Sequence, residues 1–434
     1  MVSAGSSRAR ARIKVEIGSL VAGGDGLARV GGQAVFVPGA APGDRLEVAI
    51  TDRHKTYARA RIVEVLQPGP DRVAPPCPVF GRCGGCQWQH LTYEAQLRWK
   101  REIVRDAFKR LARMDVEVAE VVPSPNPWRY RHKTAVPLGV GFYAHGSHEI
   151  VPFEECLIQH PLLDRIVAAV RELGLPPYDE RTHTGLLRHV VARCNLRGDQ
   201  AVVALVVTDP RVEAASLMQR IPELRGVVAN INTTPGNAIL GDRSVVLAGE
   251  NAITEEVDGL RFEISAESFF QVNPAAAAAL HRMAAEAAQA AGAGGTALDL
   301  YAGVGSIALR LAGGFDRVTA VEISAAACRD AERNAALNGI TNVRFVHGRV
   351  EDLRAERADV VVLDPPRKGA GAEVIAAVAG MRPGRIVYVS CDPATLARDA
   401  RALADAGWAP LSAVPLDMFP QTAHVETVAA FGRA

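Results

Sequence analysis

No apolar run in this 434-residue chain approaches the length of a membrane span, which excludes a helical membrane protein. The first twenty residues carry Arg8, Arg10, Arg12 and Lys14 but lack the uninterrupted apolar core of a signal peptide, so a cytoplasmic location is expected. Cysteine is sparse and odd in number. Seven thiols in a cytoplasmic chain argue against a disulfide framework and for metal ligation or thiol catalysis.

Net charge is nearly absent too, at +1, but it is unevenly spread. Residues 1–133 hold 22 Lys and Arg against 13 Asp and Glu, a surplus of 9, and the remaining 301 residues carry a deficit of 8. A polyanion is drawn to the first third, although a merely solvated surface has the same composition. What the chain has in quantity is apolar residues, 48%, which supply cores for roughly two to four domains.

Ile386-Val387-Tyr388-Val389-Ser390-Cys391-Asp392-Pro393 reads as a buried strand that delivers Cys391 at its exit before an Asp-Pro turn. In an open α/β sheet ligands bind at the carboxyl ends of the strands, so a thiol there is placed for chemistry. The plain alternative is a small buried hydrophobe. Upstream, Thr296–Leu300 reads as a strand, Tyr301-Ala302-Gly303-Val304-Gly305-Ser306 as a glycine turn into a helix, and Val318–Glu322 as a second strand ending in an acid. That is the βαβ unit of nucleotide-binding folds, with Glu322 placed for ribose hydroxyls. Asp299, inside the first strand, would repel a pyrophosphate but suits the cationic methionine moiety of S-adenosylmethionine. A further strand, Val360–Leu363, ends in Asp364-Pro365-Pro366 and offers a rigid acceptor beside the cofactor. Asn273 and Pro274 read as the N-cap and first position of an alanine-rich helix.

The amino-terminal third reads differently. Residues 12–68 alternate short apolar runs with glycine turns, the pattern of a small β-barrel. Arg53, Lys55, Tyr57, Arg59 and Arg61 on one strand suit phosphate contacts and stacking, and the layout resembles a TRAM domain, an OB-like barrel. After a Pro-rich linker come Cys77, Cys83 and Cys86, whose spacing lets three thiolates point at one centre. Cys156 is the leading fourth ligand and Cys194 its competitor; zinc and an iron–sulfur cluster both accept four thiolates. No Cys-x3-Cys-x2-Cys motif of the common radical enzymes is present. Residues 92–113 form an amphipathic helix, with Leu97, Ile103, Val104, Phe108 and Leu111 inward and cations including Lys100 mostly outward. Trp128-Arg129-Tyr130-Arg131-His132-Lys133 interleaves aromatic and cationic residues, which suits stacking on bases. Residues 134–262 read as a central α+β region.

Taken together these residues resemble the RNA (uracil-5-)-methyltransferase family over nearly the whole chain. Asp364-Pro365-Pro366-Arg367-Lys368-Gly369 followed by Ile386–Pro393 looks like one family signature, and Leu416–Glu426 like the other. The resemblance implies a class I methyltransferase Rossmann-like α/β domain over 265–434, a central α+β iron–sulfur domain over 74–264 and an OB-like barrel over 1–68. It implies Cys391 as nucleophile on carbon 6 of uracil and Glu426 as the base that removes the carbon 5 proton. Gln271, Tyr301, Glu322 and Asp364 fall where the family binds S-adenosylmethionine; position 349, a polar contact in some relatives, is Arg349 and is left out. Cys77, Cys83, Cys86 and Cys156 match the pattern that holds a 4Fe-4S cluster in the ribosomal RNA branch. The implied partner is 23S rRNA, with tRNA as the alternative and no membrane or obligatory protein partner. A catalytically idle RNA-binding protein is disfavoured because both implied catalytic residues are present. Many relatives have Asn where this chain has Asp392, and a carboxylate there is expected to raise the thiol pKa.

Overall fold

The computed structural model describes residues 11–292, 294–352 and 357–434. Arg8 and Arg10 lie outside them. Six strands between Arg12 and Gln67 form one sheet whose apolar side, including Val15, Ile17, Val35, Val37, Leu46 and Val48, closes on its own core. The five basic and aromatic residues expected on one strand are divided across a hairpin: Arg53 ends Arg45–Arg53, while Tyr57, Arg59 and Arg61 belong to Tyr57–Gln67. Buried Ala58 and Ala60 alternate with these three, so the period of two keeps them on the outer face.

The central region is a five-stranded sheet in the order Arg243–Gly249, Leu224–Ile231, Ala201–Val207, Leu187–Cys194 and Lys133–Pro137. Ala201–Val207 is buried along its whole length because both faces are covered. Val203 and Leu205 meet helix Pro161–Arg171, and Val202, Ala204 and Val206 meet the hairpin Ala252–Val257 and Leu260–Ser265.

The carboxyl-terminal third is a doubly wound sheet of seven strands. Their order is Val343–His347, Arg317–Glu322, Thr296–Leu300, Val360–Leu363, Arg385–Ser390, Glu426–Arg433, Trp408–Leu416. The first five are parallel, and Glu426–Arg433 runs antiparallel to both neighbours. Strict alternation sorts the core: Val360, Val362, Val387 and Val389 face helices Pro274–Gln289 and Ser306–Leu311. Val361, Leu363, Ile386 and Tyr388 face helices Ala372–Gly380 and Pro393–Asp405. Asn273 caps the first of these helices through Ala276 N, with Pro274 following, as the sequence indicates.

Three features differ from expectation. Helix Tyr93–Ala107 and the π-helical turn after it pack against the seven-stranded sheet's outer layer, through Val104, Ala107 and Phe108. Lys100 is fully buried there and pairs with Asp417, whereas Leu111 is 55% exposed. The π turn shifts the helical phase after Phe108, which carries Leu111 away from the core. Finally, Tyr130 and His132 are buried and unavailable to stack on bases. The Tyr130 hydroxyl donates to Pro420 O at 3.0 Å, and His132 N–H donates to Val272 O at 2.7 Å. The segment fastens the central sheet to the carboxyl-terminal one.

Candidate active site

A cavity of about 1540 Å³ opens at the carboxyl ends of the parallel strands, between the two sheets and the cysteine-bearing loop. Strand geometry supplies its polar groups. Ser390 pairs with Thr427 in the last register of two antiparallel strands, so the next residues outward, Cys391 and Glu426, come to the same end of the sheet. Both line the cavity. Asp364 leaves the neighbouring strand after Leu363 and lines it as well.

Burial pushes the Cys391 thiol up to about 11; the charges of Glu426 and Asp364 push the same way, and the Arg367 guanidinium opposes them. Glu426 is 3% exposed, and burial together with Asp364 raises it to about 8, again against Arg367. Burial raises Asp364 to about 7. The expected effect of Asp392 is corrected: its carboxylate accepts from Ala394 N and Thr395 N, both at 2.9 Å, and caps helix Pro393–Asp405. The acids that raise the thiol are Glu426 and Asp364.

Around the glycine turn, Tyr301 adopts a left-handed backbone (φ 68°) and lines the cavity with Gln271 and Glu322. The Glu322 carboxylate accepts from Gly303 N at 2.9 Å and Ser324 N at 2.8 Å, which orients it at the strand end. Asp299 is 0% exposed, and neither carboxylate oxygen has a hydrogen-bond partner. Burial, then Asp364 and Glu322, drive its pKa well above the usual carboxylate range. A cavity with three acids converging on it, one of them unpartnered, is built for a cationic ligand.

Cys77, Cys83, Cys86 and Cys156 are free thiols lining the other end of the same cavity. Burial raises Cys86 to about 12 and Cys156 to about 11, and Cys86 feels the other three thiols. Among the described residues, no three His, Cys, Asp or Glu side chains are drawn into a group that could hold a metal ion. Cys194 stands apart, buried in the apolar cluster between the central sheet and helix Pro161–Arg171. Arg367 and His424 also line the cavity, and neither has a role on sequence grounds although both lie inside the two signatures.

Known proteins resemble this chain in sequence and in fold. The tRNA (uracil-5-)-methyltransferase family matches residues 242–433, and the TRAM domain matches residues 7–63. An uncharacterized RNA methyltransferase of Halalkalibacterium halodurans is 42% identical, covering 96% of each chain. Another, of Caldanaerobacter subterraneus, is 40% identical over 96% of this chain and 97% of its own. Among solved structures, the Pyrococcus abyssi tRNA (uracil-54, C5)-methyltransferase in complex with S-adenosyl-L-homocysteine matches with a TM-score of 0.79 and 27% identity, covering 96% of this chain and 100% of that one.

Proposed function

The chain belongs to the RNA (uracil-5-)-methyltransferase family and is an S-adenosylmethionine-dependent enzyme, and we propose that it methylates carbon 5 of a uridine in 23S rRNA through a covalent adduct of Cys391 at carbon 6. The observation that carries this reading is the placing of Cys391 and Glu426 at adjacent strand ends, one residue beyond the Ser390–Thr427 pair, over an acid-lined cavity.

Carbon 5 of uracil is a poor nucleophile. Addition of the Cys391 thiolate to carbon 6 forms an S–C bond and shifts the double-bond electrons toward carbon 5 as an enolate. S-adenosylmethionine, when bound, would supply an electrophilic methyl group to that carbon, its S–CH3 bond breaking as S-adenosylhomocysteine leaves. Gln271, Tyr301, Glu322 and Asp364 would hold it, and the unpartnered Asp299 fits the cationic end. Glu426 then takes the carbon 5 proton, the double bond reforms, and the thiolate leaves. Its raised pKa makes it the stronger base once ionised. The uracil must be flipped out of its stack for a thiol to reach carbon 6.

Cys77, Cys83, Cys86 and Cys156 are assigned to a 4Fe-4S cluster. Four thiols around one cavity fit it chemically, because thiolates that burial and mutual repulsion disfavour are stabilised by a cationic centre. Its role is to organise the RNA-facing loop, and no step of methyl transfer passes through it. The barrel and the cysteine quartet support the ribosomal substrate. A second reading, tRNA, is favoured by the near-complete match to a tRNA-modifying enzyme. We place the protein in the cytoplasm; among the described residues no helix is long and apolar enough to cross a membrane.

Labelled methyl transfer to separated, hypomethylated 23S rRNA and bulk tRNA, followed by nucleoside analysis, tests the reading. Label in 5-methyluridine of the rRNA, lost with Cys391→Ala, is the expected result. Label confined to tRNA replaces the substrate, and none in either overturns the assignment.

A further inference from the structure

Gln421 is buried at 3% exposure, and its backbone lies in the left-handed region, φ 67°, where a side chain is strained. Each of its hydrogen-bonding groups is engaged by a residue from far earlier in the chain. Its N–H donates to Gln96 Oε1 at 2.8 Å, and its Oε1 accepts from Gln96 Nε2 at 3.0 Å, a reciprocal pair. Its carbonyl accepts from the backbone N–H groups of Gln87 at 3.1 Å and Trp88 at 3.0 Å, next to Cys86. Its Nε2 donates to Pro127 O at 3.3 Å.

The neighbouring residues are fastened as well. One turn along the same helix, Lys100 holds Asp417 at 2.5 Å and Phe419 O at 3.1 Å. Asn273, two residues after Gln271, donates to Met418 O at 3.0 Å. On the barrel side, a Cβ on Gly24 would stand 3.0 Å from Ala423 Cβ. The stretch 417–423 joins two strands that already pair along eight registers, so strand pairing does not require a strained residue held from five directions. Such strain persists only where surrounding contacts over-determine it, and this one sits five residues before Glu426.

We propose that Gln96 is a positioning residue for the proton-abstraction step, holding the Gln421 turn and through it Glu426. The inference rests on the covalent reading above. Proton transfer from carbon 5 depends on the placement of one carboxylate. Loosening the turn therefore slows the step after methylation: the S–C bond to Cys391 is formed, the methyl group is on carbon 5, and the carbon 5 proton stays in place. Methylated RNA remains bonded to the enzyme.

The test compares wild type, Gln96→Ala and Gln421→Gly on uridine RNA with S-adenosylmethionine labelled in its methyl group, with a parallel 5-fluorouridine RNA. Both variants are expected to lower kcat by roughly tenfold to a hundredfold with kcat/KM for RNA nearly unchanged, because methylation precedes the slowed step, and to accumulate an SDS-stable methylated protein–RNA complex on uridine RNA that wild type does not. Wild-type turnover, a loss confined to KM, or a fall in kcat without that complex would each overturn the inference. If Gln96→Ala does not fold, Gln421→Gly carries the comparison, since glycine accepts φ 67° without strain. Failure of wild type to form a Cys391-dependent complex with 5-fluorouridine RNA overturns the covalent reading itself.

Discussion

Cys391 and Glu426 occupy neighbouring places at the ends of two antiparallel strands, one residue beyond the Ser390–Thr427 pair. Glu426 raises the cost of ionising the Cys391 thiol, and the two share Arg367 as the opposing cation. A nucleophile and a base that cannot easily be charged together suit a reaction that uses them in succession.

Glu426→Gln should separate these two uses. Addition and methylation proceed, but release does not, so turnover falls by about 10²–10⁴-fold and a methylated covalent complex accumulates. Gel analysis of labelled RNA with and without SDS reads both effects.

The pH dependence follows from the same groups. Glu426 at about 8 and Cys391 at about 11 are both raised, and both act as anions, so kcat, which includes the release step, should climb with pH through the first value, and kcat/KM should rise toward the second. Arg367 lowers both, so Arg367→Ala should move the rising limb to higher pH. A profile already flat at neutral pH would contradict this.

Asp299 offers a test of the cofactor pocket. Its carboxyl group is sealed without a side-chain partner, and Asp299→Asn removes its ability to ionise against a cation at constant size. Affinity for S-adenosylhomocysteine should fall by about 1.5–3 kcal/mol, as for loss of a charge-assisted hydrogen bond. The melting temperature of the ligand-free protein should not fall. Calorimetry and thermal scans measure the two.

The Lys100–Asp417 pair is 0% exposed on both sides, so breaking it leaves a buried charge. Lys100→Met should cost about 3–5 kcal/mol in urea unfolding, and Lys100→Met with Asp417→Leu should recover most of the loss.

The strands of the amino-terminal sheet, the βαβ unit, the Asn273 cap and the strand that ends at Cys391 were all legible from residue patterns, because alternation, glycine turns and caps act over a few residues. Cys391 and Glu426, proposed as nucleophile and base, could be singled out for the same reason: each lies inside a contiguous signature. The outward placement of Lys100 and the base-stacking role of Tyr130 and His132 were misread, since local pattern says only that a residue is cationic or aromatic and not what meets it.

The sequence alone therefore determined which strands form, and which thiol and carboxylate end them. Tertiary structure alone decided that Asp417 neutralises Lys100, that Gln96 grips Gln421, and that the cysteine loop leans on the turn preceding Glu426. Those contacts join segments more than 300 residues apart, and burial, which sets their energy, exists only once the sheet has brought them together.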